Sequence, residues 1–129
     1  MKLLLDTHIW LWSKREPQRL SRRVQRALVA AENELWVSPV STWEALLLHG
    51  KGRIRLHEDP AVWLTRATAN THEAPLTHEI ALAAAQLPWQ HRDPADRFLV
   101  ATAQVLGLTL VTADERLLAL KGIATLANR

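Results

Sequence analysis

Residues 93–117 read DPADRFLVATAQVLGLTLVTADERL, and this stretch decides the fold. Asp93 followed by Pro94 is a helix cap with proline at the first helical position. Ala95, Phe98, Leu99, Thr102, Ala103 and Leu106 then recur at helical spacing until Gly107 stops the run. Leu108 to Val111 follows at once as a short buried strand, and Thr112-Ala113-Asp114 leads into a further short helix through Leu117 and Leu118. A helix that feeds directly into an apolar strand, which in turn feeds a helix, is the alternation of a parallel sheet.

The same alternation holds on the N-terminal side. Residues 2 to 5 read as a buried strand that runs into Asp6, and Thr7 to Ser13 as a helical segment carrying Ile9, Trp10 and Trp12. The chain breaks at Glu16-Pro17. Ser21 then caps a helix with Val24, Ala27, Leu28 and Ala31 on one side and arginines on the other. Leu35 to Val37 is a second strand, and Ser38-Pro39 opens a helix through Trp43 and Leu47 that stops near Gly50 and Gly52. A further helix starts after Pro60. Ala74 to Leu76 is expected to form a brief strand, Thr77 to cap a helix that Leu87-Pro88 ends, and Ile123 to Leu126 to form the last strand. Hairpin signals, repeats and linkers are absent, so the expectation is one domain over residues 1–129. Its fold class is α/β, a three-layer α/β/α sandwich with a central parallel sheet.

Composition narrows the chemistry. A chain of 129 residues with 48% hydrophobic and 22% charged residues has the make-up of an ordinary globular domain. With no cysteine, disulfide scaffolds, thiol nucleophiles and thiolate metal sites are excluded, and any metal must use oxygen or imidazole. Neither a secretory signal nor an apolar run approaching a membrane span of about 18 residues is present, so a cytoplasmic protein with no membrane partner is expected. Net charge is +3, and the basic residues are concentrated early: Lys14, Arg15, Arg19, Arg22, Arg23 and Arg26 are followed by Lys51, Arg53 and Arg55. An anionic polymer such as RNA suits that distribution, although a solvated helix face explains it equally well.

In a doubly wound sheet the ligand site lies beyond the carboxyl ends of the strands. Asp6 and Asp114 both fall there, Asp93 and Asp96 begin the 93–106 helix, and Glu44 interrupts the apolar run from Trp43 to Leu48. Carboxylates gathered in one place repel each other unless a cation neutralises them. Mg²⁺ or Mn²⁺ takes two or three carboxylates with water and substrate phosphate in its shell, and activates water for in-line attack on phosphorus. Local roles compete with this one. Asp93 and Asp96 also suit a helix N-terminus, and Asp114 suits a cap on the last short helix. Glu44 is costly to bury unpaired, and Asp6 has little capping rationale.

The ordered set LLLDTHIWLW, VSTWEALL and DPADRFLVATAQVLGLTLVTADERL resembles the PIN-domain family, and more closely its VapC-type toxins of prokaryotic toxin–antitoxin pairs. The resemblance spans nearly the whole chain. It implies an α/β/α sandwich and a Mg²⁺- or Mn²⁺-dependent ribonuclease. It implies Asp6, Glu44, Asp96 and Asp114 as the catalytic, metal-holding acids, with Asp93 as a supporting or capping acid. It also implies cleavage of RNA to a 5′-phosphate and a 3′-hydroxyl without a protein nucleophile, restraint by a cognate antitoxin, and a homodimer. Thr7, Thr112 and Ser41 stand beside the acids and can hydrogen-bond them, while Arg97 and Arg92 can meet a substrate phosphate or pair with a carboxylate. His8 and His91 also lie close to proposed acids. Trp10 and Trp12, near Arg15 and Arg19, are the tryptophans expected at an antitoxin groove.

Two other readings stay open on the residues. A non-catalytic PIN-like module would bind RNA or protein but would not need all four acids. A haloacid-dehalogenase-like phosphatase would use Asp6 as nucleophile but expects an acid where His8 stands.

Overall fold

The computed structural model describes residues 1–90 and 93–129. In chain order the elements are β1 (Lys2–Leu5), α1 (Thr7–Arg15), α2 (Arg22–Val29), β2 (Glu34–Val37), α3 (Pro39–Gly50) and α4 (Pro60–Ala67). They continue with β3 (His72–Glu73), α5 (His78–Gln86), α6 (Pro94–Leu106), β4 (Thr109–Thr112), α7 (Glu115–Leu118) and β5 (Thr125–Ala127). A single turn of 3₁₀ helix, Pro17–Arg19, joins α1 to α2.

The sheet has five strands in the order β3-β2-β1-β4-β5. Every pairing is parallel. Why three leucines run together in β1 follows from its central place. Successive side chains point to opposite faces, and both faces are covered. Leu3 and Leu5 enter a core with Ile9, Trp10, Val24, Ala45 and Trp63 from α1 to α4. Leu4 enters the other core with Leu99, Val100, Leu110 and Leu117, under α6 and α7. All three leucines are at most 1% exposed, and each such burial is worth about 1.5–3 kcal/mol. Those two cores are the two interfaces of a three-layer sandwich, as the alternating pattern predicts.

Caps fix where the helices start. Ser21, Ser38, Thr77 and Asp93 each accept a backbone N–H from the first turn of the helix they precede. Gly107 ends α6 in the left-handed conformation at φ 66°. Nothing lies within 4 Å of a Cβ added there, so Gly107→Ala meets no clash. It costs only the backbone strain of about 1–2 kcal/mol, to be read as a lower denaturation midpoint with an unchanged m-value.

The third strand differs from expectation. It is His72–Glu73, ahead of Ala74 to Leu76, and it pairs Trp36 with His72 and Val37 with Glu73. Being a two-residue edge strand with both residues exposed, it gains nothing from apolar composition. Ala74 comes just after it, donates its N–H to the Val37 carbonyl and is fully buried. Among the described residues no helix is long and apolar enough to cross a membrane.

Candidate active site

Strand order reverses at β1: the chain moves outward through β2 and β3 on one side, then returns to place β4 and β5 on the other. Such a switch point opens a crevice beyond the strand ends. A cleft of about 340 Å³ lies there, lined by Asp6, Glu44, Asp93, Asp96 and Asp114. Among the described residues it is not the largest cavity; one of about 480 Å³ opens beside α4 and holds none of these acids. Convergence of like charge from β1, α3, α6 and α7 makes the smaller cleft the candidate site.

Asp6 closes β1. Its N–H donates to the Val111 carbonyl at 3.0 Å, a last rung toward β4. It occupies the cap position of α1, yet its carboxylate does not cap that helix. Instead Oδ2 accepts a 2.6 Å hydrogen bond from the Thr112 hydroxyl. Thr112 Oγ1 in turn accepts the Asp114 N–H at 3.0 Å. One fully buried hydroxyl at the end of β4 therefore ties the first acid to the backbone of the last.

A second buried hydroxyl does the same for Glu44. Thr7 donates to Glu44 Oε1 at 2.5 Å, and its oxygen lies 2.9 Å from Ser41 Oγ. The Thr7 hydroxyl has one proton, and an ionised carboxylate can only accept, so Ser41 is the donor in the Ser41–Thr7 contact. Ser41 and Glu44 lie three residues apart on α3, on the same side of that helix. Both threonines and Ser41 are buried behind the cleft.

The acids feel one another. Burial is the main cause that pushes the Asp6 carboxyl above the ordinary aspartate value; the Thr112 hydrogen bond and nearby His8 oppose it, and Asp114 adds to it. Glu44 is likewise raised by burial, against the Thr7 hydrogen bond, with Asp93, Asp6 and Asp96 adding repulsion. Asp114 goes the other way because the Arg116 guanidinium bonds it, with Nη2 to Oδ2 at 3.0 Å. Asp93 caps α6 through Ala95 N–H at 2.9 Å and also lines the cleft. Asp96 is half-buried in the first turn of α6.

Among the described residues no three His, Asp or Glu side chains stand close enough to hold one ion between them as placed. Asp6, Glu44, Asp93 and Asp114 each accept a hydrogen bond from a donor of their own. The donor set still fits a hard divalent cation. It is all oxygen and comes from four elements, and Asp114 repels the Asp6 charge while Asp93, Asp6 and Asp96 repel that of Glu44, a repulsion that a cation between them would offset.

Two expectations fail. Arg97 does not serve the cleft: its guanidinium donates to Ala84 at 2.7 Å, to Leu87 at 3.2 Å and to Trp89 at 2.6 Å. Those carbonyls belong to the end of α5 and the segment after it, which α5 leaves unsatisfied. Trp10 is not a partner anchor, because it is fully buried, with Nε1 donating to the Ala67 carbonyl at 3.2 Å and its ring packed on Trp63. Arg92 and His91 lie outside the described residues. His8 is exposed and lines the cleft. Arg116 is the cleft residue the sequence did not announce; an arginine two positions after a capping aspartate is the only signal it leaves.

A parallel three-layer α/β protein with an acid-lined crevice at its switch point is the class this geometry defines. The chain belongs to the PIN domain family, whose model matches residues 3–123. It is 38% identical over 116 residues, 89% of this chain and 88% of the relative, to ribonuclease VapC22 of Mycobacterium tuberculosis (strain ATCC 25618 / H37Rv). Its fold is similar to that in VapBC2 from Rickettsia felis bound to a promoter DNA fragment, with a TM-score of 0.74, 16% identity and 98% of each chain covered. It is similar as well to that in DNA-bound VapBC from Salmonella typhimurium, with a TM-score of 0.72, 18% identity and 98% of each chain covered.

Proposed function

We propose that this chain is a metal-dependent endoribonuclease, the toxin of a toxin–antitoxin pair, acting in the cytoplasm on RNA and restrained by a cognate antitoxin protein. The observation that carries the reading is the convergence of Asp6, Glu44, Asp96 and Asp114, with Asp93 beside them, on one cleft. The 38% identity to a ribonuclease supports it. Asp6, Glu44, Asp96 and Asp114 would hold Mg²⁺ or Mn²⁺. When bound, that cation supplies Lewis-acid neutralisation of phosphate charge and activates water for attack on phosphorus.

The protein's own part is orientation. Thr112 and Thr7 fix the Asp6 and Glu44 carboxylates by hydrogen bonds from buried threonines, so neither acid has to be ordered when substrate arrives. Arg116, held at the rim by Asp114, is placed to meet a phosphate oxygen. A homodimer belongs to the same reading, and exposed Trp43 and Leu82 are apolar surface for a second copy or an antitoxin to cover.

Antitoxin-free protein incubated with structured and single-stranded RNAs tests the proposal. Cleavage with Mg²⁺ or Mn²⁺, lost on chelation, giving 5′-phosphate and 3′-hydroxyl ends, is expected; cleavage that persists in chelator would refute it. Thr112→Val tests the orienting role. It keeps the shape and removes the hydroxyl, so kcat is expected to fall about 10- to 100-fold, as for other partners that orient metal-binding carboxylates. Added Mn²⁺ should recover part of the loss, and an unchanged kcat would show that Thr112 merely fills space.

A further inference from the structure

The acidic cleft continues past Trp12. A second cleft of about 380 Å³ shares His8 and Trp12 with it and runs on between α1 and the segment that follows α3. Its character is reversed, because Arg15, Arg19 and Arg53 line it. The Arg19 guanidinium lies 4.1 Å from the centroid of the Trp12 ring, and Glu16 holds it there at 3.3 Å. Both members of that pair are about half exposed, so the hold is weak and easily exchanged. Arg15 is anchored by donating to the Arg55 carbonyl. The His8 ring stands 5.8 Å from Trp12, tilted by 32°.

An indole with a cation over its face, flanked by further guanidiniums, is the combination that binds single-stranded nucleic acid: bases stack on the ring and cations follow the backbone. We propose that Trp12 and the groove of Arg15, Arg19 and Arg53 bind the single-stranded RNA next to the scissile phosphate, with a base stacked on Trp12 and the arginines on the flanking phosphates. This rests on the nuclease reading of the adjoining cleft. RNA is favoured over a protein partner by continuity. A substrate backbone entering a cleft of carboxylates is repelled there, and neutralisation on the approach offsets that repulsion.

Binding is measured by fluorescence anisotropy of a labelled single-stranded RNA in an Asp6→Asn background, so that cleavage does not interfere. Trp12→Leu keeps apolar bulk without a π face and is expected to weaken binding about five- to a hundredfold. Trp12→Phe restores a face and should bind within about threefold of the parent, which a merely structural Trp12 would not require. Arg53→Ala should lower the slope of log Kd against log salt by about 0.7, the share of one phosphate contact on a single strand. Equal RNA binding by Trp12→Leu and the parent overturns the proposal, as does loss of cognate antitoxin binding in Trp12→Leu with RNA binding intact. Failure of the wild-type chain to cleave any RNA with Mg²⁺ or Mn²⁺ would instead sink the nuclease reading, and the two failures are told apart because one is read by binding and the other by cleavage.

Discussion

Asp6→Asn is expected to abolish RNA cleavage and, in the same protein stripped of divalent cations, to raise thermal stability at neutral pH. The activity loss is expected to reach about a thousandfold or more, the scale of removing several kcal/mol of charge stabilisation from a phosphoryl-transfer transition state. The stability gain has its own cause. Burial raises the Asp6 carboxyl above its unfolded value, so between the two values the folded chain holds the proton more firmly than the unfolded one. Stability therefore falls as pH rises through that window. Asparagine removes the charge and keeps an oxygen for the Thr112 hydroxyl. A gain of about 1 kcal/mol, or roughly 3–5 °C in Tm, is expected, shrinking as the pH falls toward the ordinary aspartate range. Calorimetry with chelator across that range checks it. Saturating Mn²⁺ should stabilise the wild type by mass action and the variant by measurably less. Lower stability of the variant at neutral pH would show that the acid is a structural strut.

Trp10→Ala carries the largest expected stability effect. Trp10 is fully buried on α1, bonded to Ala67 at the end of α4 and packed against Trp63 at a ring separation of 5.3 Å. It joins α1 to α4 in the core beneath Leu3 and Leu5. Removing an indole from such a place costs about 3–5 kcal/mol, a large share of the roughly 5–15 kcal/mol that holds a domain of this size folded. Urea unfolding should show a collapsed midpoint, and Trp10→Phe should recover much of it while losing the bond to Ala67. A midpoint shift under about 1 kcal/mol would mean that the site refills.

What was legible in the sequence divides along a physical line. Features fixed by local chemistry were readable: the caps at Ser21, Ser38, Thr77 and Asp93, the left-handed stop at Gly107, the buried runs of β1 and β4, and the acids at their carboxyl ends. Parallel topology then carried Asp6, Glu44, Asp96 and Asp114 to one cleft. Features fixed by a distant neighbour were not. The edge strand at His72 exists because β2 offers it a partner, and its own composition is silent. Arg97 sits beside a key acid in sequence, but the open carbonyls after α5 take its guanidinium. Trp10 and Trp12 are two positions apart on a helix and so face different surroundings: one fills the core, the other borders the clefts.

Mn²⁺ binding followed by electron paramagnetic resonance addresses the shared-ion pocket itself, independently of any RNA. The wild-type chain should bind Mn²⁺ and release it to Mg²⁺, and Asp6→Asn and Asp96→Asn should each weaken binding at least about tenfold while keeping the fold. Unaltered Mn²⁺ affinity in both variants would mean that these carboxylates do not meet at one ion.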